Sequence, residues 1–177
     1  MATNVFLERI FDTPQSAAQV YAKARESRWC FDLHKVDWHS SFLAGTGQLI
    51  LCWFSAPDAE SARLAIRQSG LEIRRLWPGT VHDAPEPAVP NVLVERSFGD
   101  PVALEEIQAI EDAAAWCLEA HNVKFARTFF SADRRRMVCL YQAPDAESVR
   151  LAQREAAMPL DAVWAFERLG PDTMGPA

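Results

Sequence analysis

Apolar and polar positions alternate over short stretches of this chain and recur at helical spacing over longer ones. The first stretch, "NVFLERIF" from Asn4, is short and rich in β-formers. Asp12, Thr13 and Pro14 then announce a helix, with Thr13 as its N-cap and Pro14 at the first helical position. Ala17, Val20 and Ala24 continue it at helical spacing to about His34. "VDWHSSFL" from Val36 returns to a period of two and reads as an aromatic-rich strand. After the turn "AGTGQ", "LILCWF" reads as a buried strand. "APDAES" begins a second helix: Pro57 stops the strand, Asp58 caps, and Glu60 suits the positive helix end. "LEIRRLW" supplies a short closing strand. The predicted order is β-α-β-β-α-β, the split βαβ or ferredoxin-like unit.

The chain then writes this order again. With Asn4 laid over Asn91, a single offset puts Trp29-Cys30 on Trp116-Cys117, His34 on His121, Phe42 on Phe129, Cys52 on Cys139 and Trp77 on Trp164. "APDAES" falls on an identical "APDAES". In the second copy Asp100 and Pro101 open the helix, and Leu104, Ile107 and Ile110 recur along it. Residues 1–80 and 91–169 are therefore read as two ferredoxin-like repeats. The proline-rich stretch 81–90 is read as an extended linker and 170–177 as a loosely attached tail. One such unit covers a single face of its sheet with helices, and an apolar bare face needs a cover. The expected fold class is α+β, with two tandem βαββαβ units forming a pseudo-dimeric α/β barrel within one chain. A further homodimer is compatible with that reading.

"LVERSF" from Leu93 and the long run from Ser131 to Trp164, "SADRRRMVCLYQAPDAESVRLAQREAAMPLDAVW", carry a resemblance. They are similar to a bacterial family of small ferredoxin-like, dimeric α/β-barrel proteins of mostly unknown function, with a nickel-binding member type. The likeness covers nearly all of the second copy and, through "FLERIF" and "CWFSAPDAES", part of the first. It implies a metal-binding protein, with nickel as the ion and His and Glu side chains as ligands.

Composition narrows the partners. Hydrophobic residues make up 49% and charged residues 24%, the balance of a globular protein, and no apolar run is long enough to span a bilayer. The formal net charge of −6 disfavours nucleic acid and anionic membrane. "DRRRMVCLY" lies where RNA-recognition folds present aromatics, but the glycine-aromatic signature is missing, and Arg134 to Arg136 read as a solvated turn. The opening residues lack a basic region followed by an apolar core, so a cytoplasmic location with reduced thiols is expected. Cys30, Cys52, Cys117 and Cys139 form no CxxC pair and read as small buried apolar residues. No phosphate-cradling glycine loop, GxSxG or HExxH occurs.

The candidate chemistry lies mainly on the strands. Glu8 and Glu95 occupy equivalent places on the two first strands. If Val5 and Leu7 face the helices, Glu8 faces the space between the sheets, where desolvation suits a general acid or base. The alternative is a structural ion pair with an arginine such as Arg127. His39 has Ala126 as its counterpart, so it would be a metal ligand or proton shuttle present in one copy only, or else a surface strand histidine. Simple alternation sets it opposite Trp38 and Ser40. His34 and His121 stand at helix ends. They are candidate metal ligands, one from each copy, or cations favoured by the helix dipole. His82 falls in the linker and reads as solvated. Trp38, Trp53, Phe125 and Tyr141, with Ser40 and Arg127, could line and orient a flat apolar ligand; as core aromatics they need no ligand. Three functions follow: a protein binding a metal ion or small ligand between its sheets, a cofactor-independent enzyme (monooxygenase, cyclase or isomerase type) acting on a small hydrophobic molecule, or a non-catalytic ligand-binding or assembly module.

Overall fold

A computed structural model describes residues 1–176; Ala177, the end of the expected tail, lies outside the described residues. The elements run β1 (Thr3–Ile10), α1 (Ala17–Leu33), β2 (Asp37–Ala44), β3 (Leu49–Ala56), α2 (Ala59–Gln68), β4 (Arg75–Asp83), β5 (Val92–Ser97), α3 (Leu104–Ala113), α4 (Ala115–Ala120), β6 (Lys124–Ser131), β7 (Arg136–Gln142), α5 (Ala146–Glu155) and β8 (Ala162–Leu169). They divide into two units, residues 1–79 with the segment from Glu167 onward, and residues 80–166. The boundaries fall inside β4 and β8. β4 also takes in the start of the stretch expected as linker, and His82 sits in it, bonded to Thr80 at 2.8 Å.

In unit 1, β1 pairs antiparallel with both β3 and β4, and β2 pairs with β3, giving the order β4-β1-β3-β2. Val5 and Leu7 of β1 are fully buried in a core with Ala62, Ala65 and Ile66 of α2. The strand period of two then places Phe6 and Glu8 on the opposite face. In unit 2, β5 pairs with β7 and β8, and β6 with β7, giving β8-β5-β7-β6. Val92 and Val94 meet Val149 and Ala152 of α5 in its core. Each unit is an antiparallel sheet with its helices on one face, an α+β fold of the ferredoxin-like kind.

Asp58 and Asp145 cap α2 and α5 as expected, each accepting the backbone N–H three residues on at 2.7 Å. The first helix starts later than Thr13 and Pro14 suggest. Ser16 is its N-cap and forms a reciprocal capping box with Gln19, which satisfies two backbone donors where Thr13 would satisfy one. In unit 2 the helix starts only at Leu104, and Ala103 offers no capping side chain. That helix is also interrupted at Ala114, whereas α1 runs unbroken for 17 residues.

Residues from Leu169 to Met174 are held in place. Leu169 is buried in the core of unit 1, Tyr21 bonds the Thr173 hydroxyl at 2.6 Å, and Arg25 donates to the Met174 carbonyl at 2.8 Å. Of the expected arginine turn, Arg134 and Arg135 are exposed. Arg136 instead begins β7, is 9% exposed, and pairs with Glu95 at 2.7 Å.

Candidate functional site

The arrangement around His39 follows from an irregularity in β2. The register with β3 shifts between Trp38 and Ser40, leaving His39 as an extra residue in a bulge. A bulge re-aims side chains that strict alternation would send to opposite faces. Trp38 therefore turns toward the helices, where it meets Tyr21 edge-on at 6.3 Å and donates to Ser41. Ser40 pairs with Trp53 on the other face. His39 reaches that same face: its ring stacks on Trp53 with centroids 4.5 Å apart, and Nε2 lies 2.9 Å from the Ser55 hydroxyl. The alternation expected of His39 and Ser40 is thus corrected by the extra residue.

The surroundings are polar and half-buried. Trp53 donates its indole N–H to Asn4 Oδ1 at 2.9 Å. Arg168 Nε donates to Ser40 Oγ at 3.0 Å, while its Nη1 holds Asp172 at 3.0 Å. That hydrogen bond from Arg168 keeps the Asp172 carboxyl below its ordinary value. A Cβ at Gly170 would sit 3.1 Å from the His39 carbonyl oxygen and 2.6 Å from Asp172, so the absence of a side chain there lets the chain end close over the bulge. Asn4, Ser55 and Arg168 carry no motif, and sequence reasoning missed them. Unit 2 also has a bulge, between Phe125 and Arg127, but its extra residue is Ala126, and Leu140 stands where Trp53 does.

The paired glutamates are held by donors. Glu8 accepts from Trp77 Nε1 at 2.8 Å and from Arg75 at 3.1 Å. Glu95 accepts from Trp164 Nε1 at 3.0 Å and from Arg136 at 2.7 Å. The tryptophans are equivalent in sequence, but the arginines come from different strands, β4 in one unit and β7 in the other. Both carboxylates thus have the geometry of a structural ion pair. Arg127 makes its ion pair with Asp83.

The remaining candidates are dispersed. Phe125 and Tyr141 meet edge-on at 5.9 Å inside the helix-covered core of unit 2. There Tyr141 belongs to a polar cluster that the sequence did not announce. Arg96, Tyr141 and Gln153 are all 0% exposed and Glu111 is 7% exposed. Arg96 Nη2 bonds Tyr141 Oη at 3.1 Å and Gln153 Oε1 at 2.7 Å, and Tyr141 donates to Glu111 at 2.8 Å. Burial pushes the Glu111 carboxyl up, against the pull of Tyr141 and Arg96. Burial and the neighbouring Glu111 push the Tyr141 hydroxyl well up. At the same offset in residue number Arg96 falls on Arg9, while Glu111, Tyr141 and Gln153 fall on Ala24, Phe54 and Ile66.

His34 and His121 are both helix C-caps; His34 bonds Gln68 at 2.9 Å and His121 faces Glu155 at 3.1 Å. Among the described residues no group of three or more His, Cys, Asp or Glu side chains is placed to hold a metal ion. The cysteines are buried and unbridged, and burial lifts the Cys52 thiol to about 11.

Comparisons with known proteins agree with the fold and are narrower on function. Residues 93–165 match the model of a family described as nickel responsive protein SCO4226-like, less than half of the chain and all of it in unit 2. No curated protein matches. Among solved structures, a chlorite dismutase from Candidatus Nitrospira defluvii is similar at 10% identity and a TM-score of 0.55, over 98% of this chain and 93% of that one. TA0507, provisionally named a chlorite dismutase, is similar at 12% identity and a TM-score of 0.53, over 98% and 96%. At such identities the likeness is one of fold. No helix among the described residues is long and apolar enough to cross a membrane.

Proposed function

We propose that this protein binds a small flat molecule bearing an acidic group on the His39 face of unit 1, and that His39 exchanges a proton with it. The observation that carries the reading is the His39 imidazole, brought out by a bulge, stacked at 4.5 Å on Trp53 and hydrogen-bonded to Ser55. Trp53 offers an aromatic surface, Arg168 a cation, and Ser40 and Ser55 orienting hydroxyls. Among side chains, imidazole is the one suited to exchanging a proton near neutral pH. The internal duplication belongs to the same reading: of two units with one element order, the second has Ala126 and Leu140 in place of His39 and Trp53, so one unit works and the other supports.

The test exchanges these residues for those of unit 2. Titration of the protein with 2-naphthoate, followed by tryptophan fluorescence, is expected to saturate. His39→Ala and Trp53→Leu should each weaken binding about tenfold or more, in line with one lost stacking or charge-assisted contact. Binding that both variants leave intact, or no saturable binding to the unaltered protein, would reject the reading. A parallel nickel titration separates the alternative: heat of binding that both variants retain would favour a metal protein.

A further inference from the structure

The guanidinium of Arg168 lies beside the His39 bulge and is partly engaged. Its Nε is given to Ser40, and Nη1 to Asp172 Oδ2. No acceptor among the described residues holds Nη2. Asp172 makes the contact with one oxygen. The other, Oδ1, lies 2.6 Å from where a Cβ would stand at residue 170, so glycine there lets the carboxylate reach in. The same Cβ would lie 3.1 Å from Arg168 Nη2 and 3.1 Å from the His39 carbonyl oxygen. Cation, carboxylate and bulge meet around one glycine.

The turn that carries Asp172 is fixed by other bonds. The Thr173 N–H donates to the Gly170 carbonyl at 3.1 Å, and the Gly170 N–H donates to Thr173 Oγ1 at 3.0 Å. Tyr21 and Arg25 hold Thr173 and Met174 on α1. None of these bonds uses the Asp172 side chain, which is 62% exposed. It can turn out to water about its own torsions while the backbone stays in place. An exposed ion pair four residues apart contributes little. A carboxylate laid along the Nη1–Nη2 edge accepts two parallel N–H bonds, which is the stronger arrangement. Asp172 is therefore a weak occupant of a place that a better-fitting acid can take.

We propose, building on the ligand reading above, that Asp172 fills the acid-binding place on Arg168 until the ligand's acidic group displaces it. The site then selects for charge as well as shape. A flat acid competes successfully for Arg168, whereas a neutral molecule of the same outline leaves Asp172 where it is.

Fluorescence titration of the full chain with 2-naphthoate and with the neutral 2-naphthamide tests this. Asp172→Asn and Asp172→Ala are expected to bind 2-naphthoate about two- to fivefold more tightly than the unaltered protein, the worth of an exposed ion pair. Binding of 2-naphthamide should stay the same. Circular dichroism checks that both exposed substitutions leave the fold intact. A second measurement needs no variant. Arg168 holds the Asp172 carboxyl below its ordinary value, so saturation with naphthalene-2-sulfonate should move its titration upward, as read from its carboxyl carbon resonance. Variants that bind 2-naphthoate no more tightly overturn the proposal and leave the ligand reading standing, as does an Asp172 titration that the bound sulfonate does not move. Equal tightening toward both naphthalenes shows that Asp172 merely obstructs the face, and overturns it too. Absence of saturable 2-naphthoate binding in the unaltered protein and in both variants removes the proposal and the ligand reading together.

Discussion

At the scale of single residues, Glu111 makes an energetic argument of its own. Its carboxyl lies in the helix-covered core of unit 2, and burial raises its pKa above the ordinary 4.5. The folded chain therefore holds a proton there more readily than the unfolded chain does. Folding takes up that proton at pH values from about 4.5 upward to the raised value, so Glu111's share of stability is fully present below the window and falls as pH rises through it. Glu111→Gln keeps an acceptor for the Tyr141 hydroxyl and cannot ionise. Thermal melts of both proteins at a series of pH values should show the unaltered protein losing ground to Glu111→Gln as pH climbs through the window. A difference independent of pH would contradict the assignment.

At the scale of elements, the two helix layers solve one problem with different chemistry. Unit 1 fills the space between sheet and helices with Phe54 and Ile66; unit 2 fills it with Tyr141, Gln153 and Glu111 around Arg96. Arg96 Nε and Gln153 Nε2 are buried there with no hydrogen-bond partner. A buried ionic cluster is often no more stabilising than apolar side chains of similar volume, while removal of one partner leaves an uncompensated charge. Glu111→Ala alone is expected to cost about 1–3 kcal/mol, because the buried Tyr141 hydroxyl loses its acceptor. The combined change Arg96→Met, Glu111→Ala, Tyr141→Phe and Gln153→Ile should be neutral or stabilise by up to roughly 4 kcal/mol, as read by urea unfolding. This cluster also marks how far the sequence could be read. Element order and the caps of α2 and α5 were legible, because turn residues and hydrophobic periods act locally. The helix break at Ala114 was not, since no proline or glycine marks it. Nor was Glu111, which stands in a helix already rich in exposed acids and becomes special only when the sheet brings Tyr141 to it. At the candidate site the asymmetry of His39 and Ala126 was visible as letters, but the bulge that turns His39 onto Trp53 is a register shift between strands and leaves no local signal.

At the scale of the whole molecule, the division of the chain is the informative feature. Unit 2 is one continuous segment, whereas unit 1 is completed by the segment that begins at Glu167. That segment supplies Leu169 to its core, Arg168 to Ser40, and Thr173 and Met174 to α1. A chain ended at Phe166 should lose about 2–5 kcal/mol from unit 1, the range for deleting a large buried apolar side chain. Hydrogen exchange is expected to quicken first at β2 and only afterwards at β7; equal acceleration in both would show that the terminal segment does not belong to unit 1 in the way described. The same division bears on how the protein is made. A ribosome delivers the first unit's sequence early but withholds its closing segment until everything in between has been synthesised. The earlier half therefore stays incompletely assembled until after the whole of the second unit has been made.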